Sequence, residues 1–271
     1  AVDADLSLPT GRSQLGGRAK NLVFDPLLAR YDRYGEGLNA SFGVFASLGL
    51  SRTVSFGLGV KHNLTGAYEP DGDQPTVTVD PGDVTSALAQ FTWRRGDDFV
   101  TLGAEYAHES TAVRAGVPLL KRAPSVELSL VSSVRLAPLV TGAVSASYTT
   151  RGRDRRLNEI TGAFEKDLQR RDGDVWALSG TLYYQLRPRT ALGLEGDYVS
   201  AGDSEIDDAD FTYRPARRRW RLGVGARHAV ARNALVTASL RYLDYRDQGS
   251  ALFLPLGANG WTFTAGISAA W

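Results

Sequence analysis

Residues 38–61 read LNASFGVFASLGLSRTVSFGLGVK, and this stretch decides the fold. The even positions Leu38, Ala40, Phe42, Val44, Ala46, Leu48 and Leu50 are apolar. Between them stand Asn39, Ser41, Gly43, Phe45, Ser47 and Gly49, small or polar except for one ring. A two-residue break, Ser51-Arg52, follows. Val54, Phe56, Leu58 and Val60 then alternate with Ser55, Gly57, Gly59 and Lys61. Neighbouring side chains of a strand point to opposite faces, so this period-two pattern predicts two strands, each with one apolar and one polar face. The tight break between them predicts an antiparallel hairpin.

The same pattern returns along the chain. It covers 84–94, 98–110, 125–136, 139–150, 175–186, 190–200, 218–230, 234–246 and the final run from Trp261 to Trp271. Each run is about 10 to 15 residues, long enough to cross a bilayer at a tilt, whereas ordinary soluble strands cluster near about 5 to 6. Connections alternate in length. Short ones fall at 51–52, 95–97, 137–138, 187–189 and 231–233; long ones at 69–83, 111–124, 151–174, 201–217 and 247–260. That alternation is expected of an all-β, closed antiparallel transmembrane β-barrel with short turns on one rim and long loops on the other. Eleven runs are plain. Val2, Ala4, Leu6 and Leu8 alternate with Asp3, Asp5 and Ser7, so residues 1–9 are the candidate twelfth, which makes the number even.

Bulk composition fits this reading and excludes others. The chain has 271 residues, which a barrel can hold as a single domain spanning 1–271. Mean hydropathy is -0.21, and no stretch approaches the roughly 20 apolar residues of a spanning helix. A barrel hides its membrane character because only alternate residues face lipid. Lys and Arg number 31 and Asp and Glu 30. That balance argues against nucleic-acid binding, which needs a clustered positive field. There is no cysteine, which rules out disulfide and thiolate-metal scaffolds and suits export through an oxidising compartment. No cofactor is implied. Ala1-Val2-Asp3-Ala4, in a chain without methionine, reads as a mature end left by signal-peptide removal. Aromatic residues gather near strand ends (Tyr106, Tyr148, Trp176, Tyr184, Tyr198, Trp220, Tyr242 and Trp261 among them), as interfacial belts do.

The last twelve residues, Gly260-Trp261-Thr262-Phe263-Thr264-Ala265-Gly266-Ile267-Ser268-Ala269-Ala270-Trp271, resemble the C-terminal signal of bacterial outer-membrane β-barrel proteins. The resemblance implies a Gram-negative outer membrane, insertion by the barrel-assembly machinery, and contact with outer-membrane lipid and lipopolysaccharide. With short turns periplasmic and long loops extracellular, the final strand leaves a long loop and runs inward, so an even number of strands puts both termini in the periplasm.

Three sets of residues are candidates for function. The first lines the polar face: Lys61, Glu105, Glu127, Arg135, Glu195, Asp197, Arg219, Arg221, Arg227 and Arg241. Charges along a pore steer and select solutes, which points to a porin-like channel for small polar or charged solutes; the same residues could instead knit an ion-pair network that stiffens the wall. The second set is two long connections. Residues 9–37 carry Leu22, Val23, Phe24, Leu27 and Leu28 among basic residues and are a candidate plug of the lumen. In 151–174, Leu157, Ile160, Phe164 and Leu168 have the spacing of one helix face, so a short helix is expected, either capping the rim or meeting a partner protein.

The third set is His108-Glu109-Ser110 at the end of a strand. His108 and Ser110 fall on the lipid face, and this resembles outer-membrane phospholipase A and the lipid A deacylases. A histidine can take the serine proton for attack on an acyl ester, giving a lipid acyl hydrolase as the alternative function. The match is partial: the position expected to orient the imidazole is Arg122, and Thr111 stands where those families have asparagine. A third alternative is a barrel that anchors a partner or forms one subunit of a larger envelope complex. The acidic run Asp203, Glu205, Asp207, Asp208 and Asp210 lacks a recognised calcium-loop spacing and reads as a solvated loop.

Overall fold

The structure is a computed structural model that describes residues 2–7, 39–68, 78–157, 164–206, 213–231, 233–251 and 255–269. The candidate plug 9–37 and the aromatic terminus Trp271 lie outside the described residues. The strands are β1 (Val2–Ser7), β2 (Asn39–Gly49), β3 (Val54–Leu64), β4 (Val79–Asp80), β5 (Val84–Arg95), β6 (Asp98–Glu109), β7 (Ala112–Arg114), β8 (Val117–Lys121) and β9 (Ser125–Ala137). There follow β10 (Val140–Arg151), β11 (Asp154–Leu157), β12 (Phe164–Arg170), β13 (Val175–Arg187), β14 (Thr190–Ala201), β15 (Arg217–Ala231), β16 (Ala234–Asp247) and β17 (Gly257–Ala269).

Among the described residues, twelve strands form one sheet in the order β1-β2-β3-β5-β6-β9-β10-β13-β14-β15-β16-β17. Every neighbouring pair in that sheet is antiparallel and consecutive in the chain once the short strands are set aside. The long strands run 11 to 15 residues from β2 to β17. At about 3.3 Å per residue and a tilt near 40°, twelve residues span about 30 Å, the thickness of a bilayer core.

Register keeps the two faces consistent across the whole sheet. One rung runs Val144↔Gly180, Gly180↔Gly196, Gly196↔Leu222 and Leu222↔Tyr242. The next runs Ser145↔Ser179, Ser179↔Asp197 and Asp197↔Arg221. A slip of one residue would exchange the faces, so the hydrophobic pattern fixes the pairing. Among the described residues, nothing packs on the apolar face. Phe263 is 72% exposed and Ile267 78%, and Val44, Leu58, Leu194 and Leu222 are likewise exposed. An apolar surface this extensive is foreign to a soluble monomer, whose largest patch is about 300–600 Å². Buried positions lie on the opposite face, including Ser86, Glu195, Arg219 and Ser239.

Three of the long connections join in a second sheet of five strands, β12-β11-β8-β7-β4. This corrects the expected helix in 151–174. Leu157 and Phe164 are backbone register partners in the antiparallel pair β11–β12, so the two positions belong to strands and not to a helix. The edge of β8 supplies the reason: Arg155 pairs with Lys121 and Arg156 with Leu120. Strand pairing satisfies the backbone of this loop, and that overrides local side-chain spacing.

Candidate functional site

The polar face of β13–β16 holds a connected set of charged side chains. Asp197 on β14 accepts from Arg219 Nη2 at 3.1 Å and from Arg221 Nε at 2.7 Å, both on β15. Glu195, two residues along β14 and only 6% exposed, accepts from Arg241 Nε of β16 at 2.8 Å and from the Tyr183 hydroxyl of β13. Arg227 lies over the Tyr183 ring at 4.2 Å from its centroid. A buried carboxylate needs such partners, because an unpaired charge there carries a desolvation penalty of several kcal/mol.

Glycines make the room. Gly193 is opposite Tyr183 in register, and a Cβ at Gly193 would strike the Tyr183 ring at 2.8 Å. A Cβ at Gly225 would strike the Glu195 carboxylate and stand 2.9 Å from the Tyr183 hydroxyl. These two positions let a tyrosine and a glutamate lie flat across neighbouring strands. The face is therefore a shaped surface, and Gly193 and Gly225 are part of the site.

On β6 and β9 the polar face has the opposite sign. Glu105 and Glu127 are directly opposed in register. Both line a cavity of about 460 Å³ with Phe45, Gln90, Thr101 and Ser129. Glu127 also accepts from Thr149 Oγ1 at 3.2 Å. A second cavity, about 320 Å³, joins this acidic side to the basic one: Glu127, Ser145 and Ser147 line it together with Asp197, Arg219 and Arg221.

The ten charges named from the sequence thus separate into groups. Glu195, Asp197, Arg219, Arg221, Arg227 and Arg241 come together; Glu105 and Glu127 form a pair on another wall; Lys61 is half-buried on β3 beside Gly43 and Ser86. Arg135 departs from the expected lining. It stands at the turn end of β9, exposed, with Nη2 at 2.9 Å from Asp97 of the β5–β6 turn. Tyr183, Phe45 and Gln90 also belong to this face, and charge alone does not mark them. Their phase is a sufficient signal, since Phe45 alternates in step with Ser41 and Ser47, Gln90 with Ser86, and Tyr183 with Ser179.

The His108–Ser110 pair does not assemble. Ser110 Oγ accepts from the Asp83 backbone N–H at 2.8 Å, and the Ser110 N–H donates to the Asp83 carbonyl at 2.8 Å. No hydrogen bond joins His108 to Ser110 among the described residues. Their neighbour Glu109 is the anchored residue, held by Arg122 at 3.2 Å and Arg151 at 2.7 Å. His62 and His228, also on the apolar face, bond to Thr85 at 2.8 Å and Thr190 at 2.9 Å. No group of three metal-ligating side chains occurs among the described residues.

A second ionic cluster ties the long connections together. Arg171 reaches Asp174 at 2.9 Å and Glu205 at 2.7 Å, and Arg153 reaches Glu205 at 3.1 Å. The Tyr148 hydroxyl donates to Asp174, and this bond, followed by those from Thr150 and Arg171, holds the Asp174 carboxyl below its usual range against the opposing effect of burial. Hydrogen bonds from Arg171 and then Arg153 likewise hold Glu205 low. Of the acidic run read as a solvated loop, Glu205 is therefore spoken for by arginines, and 207–212 lie outside the described residues.

These features define an all-β protein whose large antiparallel sheet has an exposed apolar face and a charged, cavity-bearing opposite face. No protein-family model matches the chain, and no curated protein matches it in sequence. Solved structures do. The FrpB iron transporter from Neisseria meningitidis (F5-1 variant, apoprotein form) aligns at a TM-score of 0.53 with 13% identity, over 85% of this chain and 40% of that one. The NanC porin aligns at 0.40 with 11% identity, over 86% and 94%, and an outer-membrane channel from Pseudomonas putida F1 at 0.44 with 12% identity, over 86% and 84%. The likeness to FrpB is one of fold, and the chain spans about two-fifths of that transporter's length.

Proposed function

We propose that the chain is an outer-membrane β-barrel channel through which small polar or charged solutes diffuse passively. One observation carries this reading: among the described residues the sheet leaves one face apolar and exposed, while its other face carries charges around cavities of about 460 and 320 Å³. Hydrocarbon is the solvent that suits the first face and water the second. In hydrocarbon an unpaired backbone group costs several kcal/mol, so the free edges of β1 and β17 must pair and close the barrel. Likeness in fold to an iron transporter is in keeping with transport.

Within the lumen the charges are unevenly placed. On the β14–β16 wall four guanidiniums meet two carboxylates, a residual of about two positive charges, while Glu105 and Glu127 add about two negative charges on the β6–β9 wall. The network stiffens its wall and also sets a field across the channel, so the two readings of these charges are compatible. The test is current through a planar bilayer. Discrete conductance steps from the purified chain, altered by Arg221→Glu, support the reading; a sealed membrane at saturating protein contradicts it.

A further inference from the structure

The apolar face is not uniform. Gly180 of β13 and Gly196 of β14 are paired in register on it, and they open a furrow of about 520 Å³ walled by Val144, Leu178, Tyr198 and Trp220. A Cβ at Gly180 would meet nothing nearer than the Ala143 carbonyl at 3.9 Å, so that half of the floor is open, whereas Leu222 leans over Gly196, where a Cβ would stand 3.3 Å from its methyl group. The volume is that of a small-molecule site, about 300–1,000 Å³, and the walls are almost wholly apolar.

Cations stand directly above it. Arg218 lies two residues beyond Trp220 on the same face of β15, exposed and without an ion pair among the described residues. It is opposed in register by Ser200 of β14 on one side and by Arg246 of β16 on the other. Arg246 gives its Nε to Asp244 at 3.2 Å yet stays 63% exposed. Like charges directly opposite each other repel, and a shared anion relieves that repulsion. Four residues separate Arg218 from Leu222 at furrow depth, a rise of about 13 Å.

We propose that this furrow seats one acyl chain of a phosphorylated glycolipid of the outer leaflet, with its phosphate on Arg218 and Arg246. The amphiphile matches the site: apolar chain below the aromatic ring of Trp220, anionic head above it. Guanidinium suits phosphate because its fork pairs with two oxygens at once. The proposal rests on the membrane reading, since only in that setting does this face meet lipid.

The test uses the purified chain folded in lipid-free detergent micelles, titrated with lipid A and followed by native mass spectrometry. The wild type is expected to retain one lipid A in preference to further copies. Arg218→Gln is expected to weaken that binding roughly tenfold, the worth of about one charge-assisted bond. Gly180→Leu, which fills the furrow without changing charge, is expected to weaken it by a similar factor. Lipid A stripped of its phosphates should bind the wild type no better than intact lipid A binds Arg218→Gln. Arg218 is exposed, so its variant keeps the test sound if Gly180→Leu fails to fold. Equal binding by both variants, in protein that still inserts into liposomes, overturns the proposal alone. A dimer seen without lipid and abolished by Gly180→Leu overturns it in favour of a second copy of the chain. Failure of the wild type itself to insert removes the membrane reading and this proposal with it.

Discussion

Replacing Glu195 by Gln removes one charge from the interior and changes almost nothing else in shape. The carboxylate is 6% exposed and accepts from Arg241 and Tyr183 at once. A glutamine can keep its oxygen on Arg241 and give an amide hydrogen to the Tyr183 hydroxyl, but the negative charge that paired with the guanidinium is gone. Hydrogen bonds to charged groups contribute about 1.5–3 kcal/mol, and breaking a fully buried pair costs about 3–5. The Arg241 side chain remains 29% exposed, so water recovers part of the loss, and a destabilisation of about 2–3 kcal/mol follows. For a chain of this size that lowers the melting midpoint by about 4–12 °C. Tryptophan fluorescence of the detergent-solubilised protein, heated at constant pH, reads it. The pair Glu195→Gln and Arg241→Gln should together cost less than the sum of the two alone, by about 1–2 kcal/mol. A Glu195→Gln midpoint within about 1 °C of wild type, with additive single effects, would refute the network.

Other expectations are equally direct. Gly225→Val drives a side chain into the Glu195 carboxylate and is expected to cost about 2–4 kcal/mol in the same melts. Arg221→Glu reverses a charge beside Asp197 and should move the zero-current potential in a salt gradient toward cation preference. Asp174 and Glu205 have folded pKa values below their usual range. The stability they contribute is therefore complete above the ordinary carboxylate value near about 4 and is lost as pH falls through the folded values. Hydrogen exchange, corrected for its intrinsic pH dependence, should rise in 171–174 and 202–206 below that point and stay flat from pH 5 to 8. Ser110→Ala should match the wild type in acyl-ester release, both at background, because among the described residues no hydrogen bond from His108 reaches the Ser110 hydroxyl to take its proton.

What the sequence revealed follows from how local each signal is. Period-two alternation is written into every spanning strand, so 125–136 was read as a strand and Ser125–Ala137 forms one. The charges of β14 and β15 were found because their phase opposes that of Leu194 and Leu222. Their partners were harder. That Glu195 meets Tyr183 and Arg241 depends on three strands in register and on the missing side chains of Gly193 and Gly225, and no local pattern records this. Leu157 and Phe164 misled because seven residues suit both two helical turns and the two arms of a hairpin. What decided between them was the edge of β8, which is distant in sequence. The His-x-Ser spacing was legible, but the commitment of Ser110 to the Asp83 amide came from a loop 27 residues away.

The most direct test of the whole account is cysteine scanning along β9, since the chain has no cysteine of its own. Single cysteines at 125–133 in protein reconstituted into liposomes would be exposed to a charged, membrane-impermeant maleimide. The account predicts labelling at the odd positions, Ser129, Val131 and Ser133 among them, and protection at Val126, Leu128, Leu130 and Ser132. Uniform labelling, or protection of the odd positions, would mean that lipid does not cover the apolar face and that water does not fill the other.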